Sequence, residues 1–150
     1  MKKVFYESKL AKVLLCMSSC HTITLGPFVF SKRKEQNITQ ADRNHECTHA
    51  RQWIELTVLA GLILLGLVLW LDISAWWMLA SGVMFYVWYG IEYLIRAMVY
   101  SVTNDGCPKG ERKDAYRMVS FEREAYESEH DCNYLENCSY FTGWMKYLYK

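Results

Sequence analysis

The sequence predicts a mainly α-helical protein with a small N-terminal β element, in which one long helix runs on into a two-helix transmembrane hairpin. Three observations predict this. Two long uncharged apolar runs, 56–71 and 73–91, are separated only by Asp72. A polar helical stretch, 41–53, enters the first run with no breaker between them. Upstream, His21-Thr22-Ile23-Thr24-Leu25 alternates polar and apolar, the period of a strand. The 150 residues are read as a single domain in three parts. Residues 1–53 hold strands and the polar helix, 54–100 the hairpin, and 101–150 a later helix with an aromatic tail.

The N-terminal segment 2–18 fits a short amphipathic helix or another strand, and spacing does not choose between them. After the alternating run, Gly26-Pro27 breaks the pattern and Phe28-Val29-Phe30 resumes it, which predicts one or two strands with a kink or turn. Residues 31–36 form a charged loop. Thr39 then caps a helix that has Asp42 in its first turn, where a carboxylate suits the helix dipole. No Pro follows until Pro108. Gly61 and Gly66 are tolerated in membrane helices. A helix of about thirty residues is on the order of 45 Å long.

The second apolar run is long enough to span a bilayer, and the first is so when Trp53 and Glu55 sit in the headgroup layer. Trp70, Trp76 and Trp77 cluster at the turn, with Tyr93, Arg96 and Tyr100 at the other end, as in an interfacial belt. Glu92 and Arg96, one turn apart, read as a snorkelling interface pair. A hairpin buried in a soluble core would need more apolar sequence to wrap it than the chain offers. Beyond the spans, 103–110 carries turn signals throughout, and helical character returns around Asp114. Ser120 then caps a helix from Phe121 to about Asp131. The tail from Asn133 is rich in Tyr, Phe and Trp and suits either a membrane interface or packing on the domain.

A net charge of +1 argues against a nucleic-acid partner and leaves membrane lipid as the expected surroundings. Nine Lys and Arg precede the first span, seven follow the second from Lys109 onward, and the turn between the spans has none. The positive-inside rule places both termini in the cytoplasm, with the protein in the inner membrane. The six cysteines need no bridges in that reducing compartment.

The chemistry concentrates in His45-Glu46-Cys47-Thr48-His49. Residues four apart share one helix face, so His45 and His49 can chelate one metal ion. Glu46, offset around the helix, can reach a water molecule there as general base, the arrangement used by zinc peptidases. A catalytic zinc needs a third protein ligand and one open position. Glu122 and Glu124, early in the later helix, are the candidates, and spacing alone leaves both open. Tyr116, Tyr126 and His130 are candidates for stabilising an oxyanion or supporting a ligand.

His-Glu-x-x-His, then a pair of membrane helices, then Glu122-Arg123-Glu124-Ala125, resembles the HtpX-type and CAAX-prenyl-endopeptidase-type membrane zinc peptidases. The segments 44–52 and 121–126 together also resemble small bacterial proteins taken for metallopeptidases, over most of this chain. The resemblance implies a zincin-like active-site helix of the gluzincin kind, zinc as cofactor, and Glu122 as third ligand in an E-x-x-A motif. Where the family has Asp after that motif this chain has Tyr126, so the group supporting a zinc histidine must come from elsewhere, with Asp42 and Glu124 as candidates. An even number of spans returns the chain to the side it left, which puts His45, His49 and Glu122 on one face of the membrane. The expected function is a membrane-bound zinc endopeptidase acting on a peptide or protein substrate near the inner leaflet, with the strand around 22–25 pairing substrate backbone. The alternatives are a metal-binding membrane sensor or signalling component, and an inactive structural relative.

Overall fold

A computed structural model describes residues 3–16, 20–103, 112–138, 140–141 and 143–148. All of the loop expected over 103–110 except Thr103 lies outside the described residues, as do parts of the N-terminal segment. The chain is mainly helical, with a three-stranded sheet near its N-terminus. It forms two compact units, Met1–Ile54 with Ala125–Cys138, and Glu55–Glu124 with Ser139–Lys150.

The first unit contains the sheet. The ambiguous N-terminal segment supplies both elements it could have formed, strand β1 (Lys3–Phe5) and helix α1 (Lys9–Leu14). Strands β2 (Thr22–Leu25) and β3 (Phe28–Ser31) make a hairpin in which Leu25 faces Phe28. Gly26 takes a φ of 59° at the first turn position, and Pro27, with φ fixed near about −65°, suits the second. The strand order is β1-β3-β2, with β1 parallel and β2 antiparallel to β3. Strand β2 is therefore an edge.

Helix α2 (Gln40–Leu71) is unbroken for 32 residues, about 48 Å. Its start is a reciprocal capping box. The Asp42 N–H donates to Thr39 Oγ1 at 3.1 Å, and the Thr39 N–H donates to Asp42 Oδ2 at 3.2 Å. One face of its first turns packs Cys47 and Ala50 against Val29, flanked by Val4 and Leu135. Asn44 Nδ2 donates to the carbonyls of Glu129 and Asp131, and Arg51 donates to the carbonyl of Cys138. These bonds tie α2 to the segment that ends in helix α6 (Tyr134–Asn137).

The second unit holds the remainder of α2, a 3-10 segment (Ala75–Val83), helix α3 (Met84–Thr103), helix α4 (Arg112–Arg117) and the first residues of helix α5 (Ser120–Ser128). Asp72, at φ 51°, turns the chain, and the Ser74 hydroxyl accepts the Trp76 N–H at 3.4 Å. The nine 3-10 residues and the twenty of α3 span about 48 Å together, matching α2 in length. Two stretches, Gln40–Leu71 and Ala75–Val102, are long and apolar enough to cross a membrane. Only 17% and 11% of their most apolar windows are buried, so their side chains face outward rather than into a protein core.

Aromatic rings close the core of this unit. Phe121 lies 5.0 Å from both Phe85 and Trp144, centroid to centroid, and Trp144 and Tyr147 are buried. Those tail aromatics pack on the protein. The Glu92–Arg96 pair does more than snorkel. Glu92 is buried, lies 3.6 Å from Arg96, and accepts both the Ser120 N–H at 2.8 Å and the Ser120 hydroxyl at 2.7 Å. Ser120 is therefore itself capped by a carboxylate from α3, and α5 ends at Ser128 rather than near Asp131. A carboxylate placed there also suits the positive end of the α5 dipole. Glu92→Ala is expected to lower stability by about 2 kcal/mol, the scale of hydrogen bonds to a buried charged group. Denaturation in detergent checks this, and a wild-type midpoint would contradict the capping role.

Candidate metal centre

The spacing of four puts His45 and His49 on one face of α2, and their rings meet edge-on with centroids 4.9 Å apart. The two Nε2 atoms are 3.2 Å apart. Two nitrogens bound at roughly 2.0–2.1 Å to one tetrahedral ion sit about 3.3 Å apart, so the imidazoles hold the bite of a chelate.

Each ring has a polar group near its other nitrogen. His49 Nδ1 is 2.8 Å from Gln52 Oε1, an acceptor, so Nδ1 carries the proton and Nε2 presents its lone pair. His45 Nδ1 lies 3.3 Å from Glu129 Oε2, within reach of an electrostatic interaction. At 3.2 Å the two Nε2 atoms can share a proton or, with both lone pairs presented, flank a cation. Tyr126 packs edge-on against His45 at 4.6 Å. His49 and Gln52 are buried, which lowers the local dielectric and strengthens the hydrogen bond between them.

Glu122 is 1% exposed, and its Oε1 accepts the Tyr89 hydroxyl at 2.8 Å. Tyr89 and Glu92, three residues apart on α3, thus hold two points of α5: one fixes Glu122 and the other Ser120. His45, His49 and Glu122 offer ligand atoms that all lie within 4.8 Å of one another, a group that could hold a metal ion. Two imidazoles and a carboxylate are a donor set suited to a divalent transition-metal ion. Glu124 is also buried, but its carboxylate lies where a Cβ at Gly143 would overlap it.

Glu46 is held by the edge strand. Thr22 Oγ1 donates to Glu46 Oε1 and Thr24 Oγ1 to Glu46 Oε2, each at 2.6 Å. Asp42 and Glu124, the residues expected to support a histidine, have other contacts. Asp42 is engaged in the capping box, Glu124 faces Gly143, and the groups beside the imidazoles are Gln52 and Glu129. Of the oxyanion candidates, Tyr126 packs against His45 of the motif. His130 is 83% exposed, with Nε2 3.5 Å from Glu129, and Tyr116 packs near Tyr89 at 6.4 Å.

Sequence reasoning missed Thr22, Thr24, Gln52, Tyr89 and Glu129. Two of these left a signal: the threonines occupy one face of the alternating run, and Gln52 follows His49 by three, within reach on a helix. Glu129 and Tyr89 are brought in by folding and carry no local mark. No family model, curated protein or solved structure matches the chain.

Because outer partners orient ligands, Gln52→Ala and Tyr89→Phe are each expected to weaken metal affinity by about 10- to 100-fold. Competition with a chromogenic chelator measures this. Wild-type affinity in both variants would contradict the supporting roles assigned to them.

Proposed function

We propose that this chain is a membrane-bound zinc endopeptidase, with zinc held by His45, His49 and Glu122 and with Glu46 as general base. The observation that carries the reading is the pair of imidazole Nε2 atoms 3.2 Å apart, with Gln52 bonded at His49 Nδ1 and Glu129 near His45 Nδ1. The resemblance of His-Glu-x-x-His and Glu-x-x-Ala to membrane zinc peptidases supports it. So does Glu46, next to His45 in the motif, with its carboxylate held by Thr22 and Thr24.

When bound, zinc would activate a water molecule by drawing its pKa towards about 7 and would polarise the scissile carbonyl. Glu46 would serve as general base, accepting a proton at its carboxylate and returning it to the leaving amine nitrogen. Tyr126, at His45, is the best-placed of the candidate oxyanion donors. The free edge of β2 suits an extended peptide, whose backbone would continue the sheet.

The outward-facing apolar side chains of the two long helices favour insertion in lipid, since exposed apolar patches on this scale have no place in water. With both basic flanks in the cytoplasm, residues before and after the hairpin share the inner face. A second reading, a metal-binding sensor or signalling component, draws on Tyr126 standing where the resembled family has Asp. Cleavage separates the two readings.

Purified protein loaded with zinc in detergent is expected to cleave fluorescently labelled casein, with Glu46→Gln slower by at least about 100-fold. Equal rates in the two proteins would assign the cleavage to a contaminant and contradict the peptidase reading. Orientation is tested by labelling intact cells in a cysteine-free background. A Cys at Ser74 is expected to react with an impermeant maleimide once the outer barrier is opened, and one at Lys34 is not. Labelling at position 34 alone would invert the topology.

A further inference from the structure

We propose that Thr22 and Thr24 are positioning residues that fix the plane of the Glu46 carboxylate relative to the sheet edge where a peptide would lie. The inference rests on the peptidase reading above and extends it to two residues with no part in the motif. Residues two apart on a strand point to the same side, so β2 presents both hydroxyls together. The two hydroxyls converge on one carboxylate, one on each oxygen, both at 2.6 Å. Thr24 Oγ1 also lies 3.2 Å from the Glu46 carbonyl, but a hydroxyl has one proton and the carboxylate contact is the shorter.

Two ties do what one cannot. The last torsion of a Glu side chain is broad and roughly two-fold, so a single hydrogen bond leaves the carboxylate free to rock. A donor on each oxygen holds its plane. An ionised carboxylate offers about four acceptor positions, so two hydroxyls leave others open for a water proton. A tie whose only purpose was to join sheet to helix would need neither oxygen in particular, nor this residue of α2. The strand that makes the clamp is also the sheet edge, because among the described residues β2 pairs only with β3. A peptide added to that edge would be registered to the same backbone that holds the base, and that coupling places a scissile carbonyl against Glu46.

The test uses the full chain in detergent, loaded with cobalt, whose visible absorption reports the ligand set. Acetohydroxamic acid serves as the probe, because it chelates a metal through two oxygens and gives its hydroxyl proton to an adjacent base. The double variant Thr22→Val, Thr24→Val is expected to bind cobalt as wild type does and to bind the probe about tenfold more weakly. It should cleave labelled casein with kcat lowered by about 100-fold and KM near wild type, as for a slightly misplaced catalytic group. The double variant Thr22→Ser, Thr24→Ser restores the hydroxyls and should recover most of both. Wild-type probe affinity and kcat in the valine pair would overturn the clamp. If the valine pair loses its cobalt spectrum, the single valine variants take its place, and native probe affinity in both would overturn it equally. Failure of cobalt to bind wild-type protein is a separate result: it would overturn the metal reading, and the clamp's catalytic role with it.

Discussion

Two imidazole nitrogens that face each other at 3.2 Å are the constraint around which the candidate site is organised. Neutral imidazole has one lone pair, and its direction is set by which nitrogen keeps the proton. Gln52 accepts from His49 Nδ1 and so leaves the lone pair on His49 Nε2, while Glu129 lies 3.3 Å from His45 Nδ1. A proton on His45 Nε2, or a metal ion between the rings, satisfies that lone pair. Helix α2 keeps the two rings together because four residues make one turn, and the ties from Asn44 and Arg51 to the carbonyls of 129, 131 and 138 keep Glu129 beside it.

The same economy of contacts recurs around the carboxylates. Glu92 and Tyr89 lie one turn apart on a long apolar helix, and each takes hold of α5 through a hydrogen bond. In a bilayer, ionisable side chains on apolar helices persist where they are paired. Here the pairing has a visible consequence, since one partner caps the helix and the other orients Glu122. Glu46 is treated likewise from the sheet, by two threonine hydroxyls. Each carboxylate with a proposed chemical role is thus held by hydroxyl donors, which fix it without neutralising its charge.

What was legible in the sequence was what local spacing encodes. The capping box of Thr39 and Asp42, the unbroken run from polar helix to apolar helix, the turn at Asp72 and the strand alternation at 22–25 all follow from neighbours within a few residues. The histidine pair is legible for the same reason. Glu122 came forward through family resemblance, since its own neighbourhood has several acidic residues and spacing gives no preference. Asp42 was a reasonable guess for the residue supporting a histidine, but its carboxylate is already used by the helix start. Of the groups that do stand there, Gln52 is a helical neighbour of His49, but Glu129 is brought from more than eighty residues away, beyond any periodicity. The N-terminal segment was ambiguous because it holds both a strand and a helix, each too short to display a clear period.

X-ray absorption on zinc-loaded protein, purified without chelators, tests the central claim most directly. The account predicts one zinc per chain with two imidazole nitrogens and oxygen donors at about 2.0–2.1 Å, and loss of the metal in His49→Ala. Protein that takes up no zinc, or zinc whose shell contains no imidazole, would contradict it.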